Sequence, residues 1–118
     1  MTQKIPPEVE NKLIRLQELQ EQLRLLSLRR QQLEFQLREV EHALDQVKDL
    51  SADVELYKST GYVMFRTSKE QIVDELTDKK ETLELRLKTI EKQEKLVRKE
   101  FEELRRDLSK MLASTGTT

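Results

Sequence analysis

Apolar residues recur along the first half of the chain in alternating steps of three and four. With Leu16 at heptad position a, nine of the ten a and d positions up to residue 47 are aliphatic. A strict seven-residue repeat over several heptads is typical of a coiled coil, because a helix on a globular core has a wider, drifting stripe. The pattern predicts a helix over residues 7–50, starting at a proline with acids in its first turn. The a and d positions are Leu16, Leu23, Arg30, Leu37, Leu44 and Leu19, Leu26, Leu33, Val40, Val47.

The second half of the chain repeats this pattern. Ten of its twelve a and d positions are apolar, and Ser68 stands three residues before Gln71, as in a capping box that opens a helix. A second helix is therefore predicted over residues 69–112, followed by a flexible tail over residues 113–118. The a and d positions are Val73, Lys80, Leu87, Glu94, Phe101, Leu108 and Leu76, Leu83, Ile90, Val97, Leu104, Met111.

Two helices of matched length favour an antiparallel pair. Each has about 44 residues, or about 65 Å of helix. When the chain is folded about residues 60–63, Arg30 comes within about one helical turn of Glu94. Each is a charged residue in an otherwise mostly apolar seam, and the two charges are opposite. We therefore predict an interhelical ion pair that fixes the register. The alternative is that both side chains extend to solvent and never meet.

Several apolar residues fall outside the predicted seam, at the outer heptad positions c and f. Such residues are either ordinary surface scatter or a further contact surface for a neighbouring subunit or an apolar ligand. They are Ile14, Leu25, Leu28, Phe35, Leu85 and Leu96.

The segment between the helices, residues 54–67, has the sequence VELYKSTGYVMFRT and is rich in strand-forming residues. Gly61 and Tyr62 suit the centre of a type II′ turn, which would pair Lys58 with Phe65. A lone hairpin with apolar groups on both faces is marginal, so we predict that it pairs with hairpins of other subunits. The alternative is a simple connector, although two to eight residues suffice for that. The predicted oligomerisation residues are Leu56, Tyr57, Gly61, Tyr62, Val63, Met64 and Phe65.

Composition narrows the function further. Charged residues make up 38% of the chain and aromatic residues 4%, which suits narrow helical seams better than a compact core. The 22 basic and 23 acidic side chains nearly cancel, so we expect neither a nucleic-acid nor a membrane partner. There is no cysteine, no metal-ligand spacing and no phosphate-binding loop, and the single His42 lies at an outer position. We therefore expect a cytoplasmic protein that has no cofactor and is not an enzyme.

The order of these features resembles the beta class of prefoldin. The resemblance is carried by Ile5-Pro6-Pro7 at the entrance, YKSTG at residues 57–61, ETLELR at residues 81–86 and RLKTIEKQE at residues 86–94. It covers nearly the whole chain, taken as one domain over residues 1–118, and the single hairpin distinguishes the beta from the alpha class. The expected fold is mainly α: a long antiparallel two-helix coiled coil joined by a single β-hairpin, which assembles into an intersubunit β-barrel.

The resemblance also implies a function. Two alpha-type and four beta-type subunits would form a hexamer that holds unfolded polypeptides without ATP and delivers them to a group II chaperonin. The alternative is a structural coiled-coil scaffold or spacer without client binding.

The helix ends in residues 5–19 and 104–112 are the predicted client-binding tip. A coil end frays at low cost and would then expose seam residues to an apolar client. Ordinary seam packing is the alternative for each residue. The predicted tip residues are Ile5, Val9, Leu13, Ile14, Leu16, Leu104, Leu108, Met111 and Leu112.

Overall fold

Two long helices flank one β-hairpin in the computed structural model, which describes residues 5–116 and their side chains as far as residue 114. The elements are α1 (Pro7–Lys48), β1 (Leu56–Ser59), β2 (Met64–Thr67) and α2 (Lys69–Gly116). Strands β1 and β2 form a two-stranded antiparallel sheet. The predicted mainly helical fold with a single hairpin is confirmed, while residues 1–4 and 117–118 of the predicted domain lie outside the described residues.

Both helices start at the positions that the sequence predicts. The Gln71 backbone N–H donates to Ser68 Oγ at 3.1 Å, and the Ile72 N–H donates to the Ser68 carbonyl at 3.0 Å. Ser68 is thus the N-cap of α2 and occupies one of the backbone donors that a helix start leaves without a partner. At the start of α1, the Glu10 N–H donates to the Pro6 carbonyl at 3.0 Å.

Helix α1 ends at Lys48, two residues before the predicted end. The Leu50 N–H donates to the Val47 carbonyl at 3.1 Å, which tightens the chain into a turn. Lys69 Nζ then donates to the carbonyls of Lys48 and Leu50, at 2.9 and 2.6 Å. A cation on the last carbonyls satisfies acceptors that a helix end leaves open and complements the negative end of its dipole.

Helix α2 continues to Gly116, so the predicted tail over residues 113–118 is wrong for residues 113–116. Ser114 and Thr115 are small and polar, and Gly116 is of a type common just past helix ends, so the sequence favours a tail here. Ala113 is a strong helix former, and serine and threonine lower helix propensity only by tenths of a kcal/mol, or about 0.7 kcal/mol at most. A helix that is already propagating therefore extends through them.

The described chain divides into two compact units. The terminal unit contains residues 5–30 and 89–116, and the hairpin unit contains residues 31–88. Every a and d position of the predicted heptads is buried or half-buried, which confirms the two seams. The six outer-face apolar residues are exposed, as the heptad assignment requires. The buried apolar residues are Val9, Leu19, Ile90 and Leu108 in the terminal unit and Leu33, Val40, Leu44 and Leu83 in the hairpin unit.

The part of the chain that the structure describes has neither a membrane-spanning helix nor a cluster of metal ligands. Neither helix contains a stretch long and apolar enough to span a bilayer. Within the same residues, no group of three or more histidine, aspartate or glutamate side chains is placed to hold a metal ion.

Candidate functional site

The hairpin has the register expected from its sequence. Lys58 pairs with Phe65, and Ser59 pairs with Met64 next to the turn. The Thr60 N–H donates to the Val63 carbonyl at 2.9 Å, and Thr60 Oγ1 donates to the same oxygen at 3.1 Å. The predicted pairing of Lys58 with Phe65 is thereby confirmed.

Gly61 is the residue that permits this turn. Its φ of +95° lies in a region that side chains with a Cβ rarely adopt. A Cβ at this position would meet open space, since no atom outside residues 60–62 lies within 4 Å of it. The requirement for glycine is therefore a property of the backbone and not of the surroundings.

The hairpin presents apolar side chains on both faces. The register places Tyr57 and Met64 on one face and Phe65 on the other. These three side chains and Val63 are more than half exposed, and Tyr62 at the turn is fully exposed. Of the predicted oligomerisation residues, only Leu56 is half-buried. A two-stranded sheet with both faces exposed lacks the packing layer that a stable sheet needs.

Within the hairpin unit, ion pairs connect the strands to α2 and to the residue that precedes β1. Lys58 Nζ lies 2.9 Å from Glu75 Oε2 of α2, and Arg66 Nη2 lies 2.8 Å from Glu55 Oε1. The Tyr57 hydroxyl donates to the second Glu55 oxygen at 3.3 Å. Exposed pairs of this kind contribute about 0.2–1 kcal/mol each. They orient the hairpin but leave its apolar surface uncovered.

Arg30 and Glu94 form an ion pair between the two helices of the terminal unit. Arg30 Nε donates to Glu94 Oε1 at 2.6 Å. The Glu94 side chain is 6% exposed and that of Arg30 is 28% exposed. Arg98 Nη2 lies 3.7 Å from the other Glu94 oxygen. The alternative in which the two side chains never meet is thus wrong, whereas control of the register stays a prediction.

The nine predicted tip residues all lie in the terminal unit but differ in exposure. Ile5, Ile14 and Leu112 are between 50 and 56% exposed. Val9 and Leu108 are buried in the seam. The remaining four are half-buried: Leu13, Leu16, Leu104 and Met111. A partner would therefore find three of the nine side chains accessible without any opening of the helix pair.

Polar contacts join the helix ends in the terminal unit, and the sequence interpretation missed them. Lys12 Nζ donates to Asp107 Oδ2 and also to Met111 Sδ, the latter at 3.5 Å. Arg15 Nη2 donates to Glu100 Oε1 at 2.8 Å. The signal was present, since Arg15, Glu100 and Asp107 occupy the g positions that flank a coiled-coil seam.

These contacts raise the pKa of both basic groups. The hydrogen bond to Asp107 raises the pKa of Lys12, assisted by the negative charges of Asp107 and Glu8. The hydrogen bond to Glu100 raises the pKa of Arg15 in the same way. Both shifts arise because a carboxylate partner favours the charged form of the base.

The family model described as "Prefoldin subunit" matches residues 10–115 of this chain. The chain belongs to the prefoldin family. Prefoldins are chaperone subunits, and the match includes nearly all of both helices and the whole hairpin between them. The resemblance inferred from the sequence is therefore confirmed.

Relatives of this prefoldin chain include beta subunits from archaea. It is 41% identical over 113 residues to the prefoldin subunit beta of Sulfurisphaera tokodaii, covering 96% of this chain and 90% of that protein. It is 38% identical over 109 residues to the prefoldin subunit beta of Archaeoglobus fulgidus, covering 92% and 94%. The crystal structure of the prefoldin beta subunit from Thermococcus strain KS-1 matches with a TM-score of 0.88 and 37% identity, covering 94% of this chain and 97% of that one.

Proposed function

We propose that this chain is an ATP-independent holdase subunit that captures unfolded polypeptides at its helix ends. The observation that carries the proposal is the set of half-exposed apolar side chains, Ile5, Ile14 and Leu112, at the joined ends of α1 and α2. An unfolded chain exposes apolar side chains that a folded one buries, so such a surface distinguishes the two states. Each contact is weak, and binding by several subunits together supplies the affinity.

The hairpin is the proposed assembly element. Pairing its strands with hairpins of other subunits, in a β-barrel, would cover apolar side chains such as Tyr62, Met64 and Phe65 and satisfy the open strand edges. Beta-type prefoldin subunits are expected to assemble four at a time with two alpha-type subunits. We propose that this chain does so in the cytoplasm and passes its clients to a group II chaperonin.

Aggregation of a chemically unfolded protein tests the holdase. The protein, alone or with an alpha-type subunit, is mixed with the unfolded protein while denaturant is diluted, and light scattering is recorded without nucleotide. We expect suppressed scattering, whereas a structural scaffold would leave the aggregation curve unchanged.

Matched variants test the location of client binding. The variant Ile14→Ser with Leu112→Ser removes two exposed apolar groups from the helix ends, and the control Phe35→Ser with Leu85→Ser removes two from the hairpin unit. All four side chains are at least half exposed, so helicity should be retained. We expect the first variant alone to lose suppression. Equal loss in both variants would contradict capture at the helix ends.

Native mass tests the assembly. The variant Tyr62→Asp with Phe65→Asp places two charges on apolar surface that the proposed barrel covers. We expect a smaller assembly with unchanged far-UV circular dichroism. An unchanged mass by multi-angle light scattering would reject the hairpin as the assembly element.

A further inference from the structure

The outer face of α2 in the terminal unit carries a basic surface around one leucine. Lys92, Lys95, Lys99 and Arg106 recur at steps of three, four and seven, which places them on the same side of the helix. They line a shallow open depression together with Leu96. All five residues occupy heptad positions b, c or f, directed away from the seam.

These four cations lack acidic partners. None of them makes an ion pair within the described part of the chain, although Glu102 and Glu103 border the same depression. Glu102 is itself engaged, because Arg105 Nη2 lies 2.8 Å from its Oε2. By contrast, Lys12, Arg15 and Arg24 in the same unit each bind a carboxylate. The depression therefore carries more positive than negative charge, in a chain whose net charge is −1.

Leu96 provides an apolar anchor within this charge. Its side chain is 68% exposed, similar to the 66% of Leu85 on the outer face of α2 in the hairpin unit. The neighbours of Leu85 one helical turn away are Glu81 and Lys88, of mixed charge, whereas those of Leu96 are Lys92 and Lys99 with Glu100. Of these two exposed leucines, Leu96 is therefore the one that lies among several cations without an ion pair in the described residues.

We propose that this surface, formed by Lys92, Lys95, Leu96, Lys99 and Arg106, docks an acidic peptide segment that carries a large apolar side chain. The carboxylates would lie against the cations, and the apolar side chain would cover Leu96. Charge complementarity selects the partner, since opposite potentials attract and basic segments are repelled. None of its five residues is among the nine predicted tip residues, although Arg106 lies on the same end of α2, and the proposal does not depend on the proposed holdase function.

A nucleic acid fits these residues less well than an acidic peptide. Proteins that bind single strands combine cations with aromatic side chains on which the bases stack. The depression contains no aromatic residue, and its two carboxylates would repel a continuous phosphate backbone. An isolated leucine between cations instead matches a polypeptide, whose acidic and apolar side chains alternate over short distances.

Fluorescence anisotropy with the full-length protein tests the proposal. The probe is a short fluorescein-labelled peptide of aspartate and glutamate with one central leucine. We expect saturable binding that weakens about tenfold when salt is raised from about 50 to about 300 mM, because screening reduces surface attraction. Replacing the leucine of the peptide by serine should weaken binding about fivefold, as loss of one partly buried apolar contact predicts.

Variants locate the site. Lys95→Glu with Lys99→Glu should weaken peptide binding at least about tenfold, and Leu96→Ser about fivefold. The milder Lys95→Gln with Lys99→Gln keeps the test valid if charge reversal disturbs the fold. The controls are Lys79→Glu with Arg86→Glu and Leu85→Ser, which make the same changes at exposed positions of the hairpin unit. These controls should bind the peptide as the unmodified protein does.

Three results would overturn the proposal. The first is equal loss of binding in the control variants, which would indicate attraction by overall charge. The second is binding that does not change with either leucine, in the peptide or at position 96. The third is binding of a fluorescein-labelled oligothymidine as tight as that of the peptide, which would assign the surface to nucleic acid.

Discussion

Removal of Arg30 should destabilise the protein more than neutralisation of its partner Glu94. The carboxylate is 6% exposed, so Arg30→Met would leave a buried charge without its main counter-ion. Breaking a buried pair in this way costs about 3–5 kcal/mol. Arg98 lies 3.7 Å from the second carboxylate oxygen but is 60% exposed, so it recovers at most about 1 kcal/mol. We expect a loss of about 3 kcal/mol in the free energy of unfolding.

Glu94→Gln should cost only about 1 kcal/mol. The guanidinium it leaves behind is 28% exposed and also lies 3.4 Å from Ser27 Oγ, so it keeps access to water and to one polar partner. The double variant Arg30→Leu with Glu94→Leu fills both seam positions with apolar groups. Its free energy of unfolding should equal that of the unmodified protein or exceed it by up to about 4 kcal/mol.

Urea unfolding followed by far-UV circular dichroism measures all three variants, at one fixed protomer concentration because assembly contributes to stability. If Glu94→Gln costs as much as Arg30→Met, the difference in burial does not control the energetics and the reasoning fails. Register is tested separately by a short bismaleimide cross-link in Arg15→Cys with Glu100→Cys, because the tips of the native side chains meet at 2.8 Å and a linker spans the gap that two shorter cysteines leave. Adding the double leucine change should lower the yield of this cross-link if the ion pair fixes the register.

Three further predictions concern single residues. Gly61→Ala should destabilise the hairpin by about 1–2 kcal/mol through backbone strain, and Gly61→Asn by less, as measured by amide exchange of the strands. Lys69→Met should cost about 0.5–1.5 kcal/mol, because water can replace the ammonium on these exposed carbonyls of Lys48 and Leu50. It should also speed amide exchange in the last turn of α1, and unchanged exchange would refute this capping role. Stability due to the ammonium of Lys12 is fully present below its ordinary pKa of 10.5 and should fall as pH rises through the raised pKa set by Asp107. The control Lys12→Arg should show a smaller fall in urea midpoint over that range, because the guanidinium stays charged.

Much of the fold followed from periodicity and turn chemistry. The heptads predicted both seams because a and d positions must be buried wherever two helices pack. Gly61 and the strand-forming residues around it predicted the turn and the pairing of Lys58 with Phe65. The charged interruptions of the seams also indicated where Arg30 and Glu94 would meet.

Other features depend on tertiary contacts that one sequence does not display. Lys69 reads as an ordinary first-turn residue of α2, and only the fold places its ammonium on the carbonyls that end α1. The exposure of the tip residues could not be ranked, because Ile14 and Leu16 are equally apolar but face different directions. The persistence of α2 to Gly116 is hard to read from the sequence, because serine, threonine and glycine are common at helix ends although their propensities do not forbid a helix.

The placement of the tyrosines gives this protein two separate optical signals. The chain has no tryptophan, and its two tyrosines, Tyr57 and Tyr62, are both in the hairpin. Absorbance near 280 nm, and the tyrosine fluorescence that it excites, therefore report the hairpin. Far-UV circular dichroism is dominated by α1 and α2. Since Tyr62 starts fully exposed, its emission and its accessibility to quenchers follow subunit association without a label. Folding of the helices and association of the hairpins can thus be timed independently in one unmodified sample.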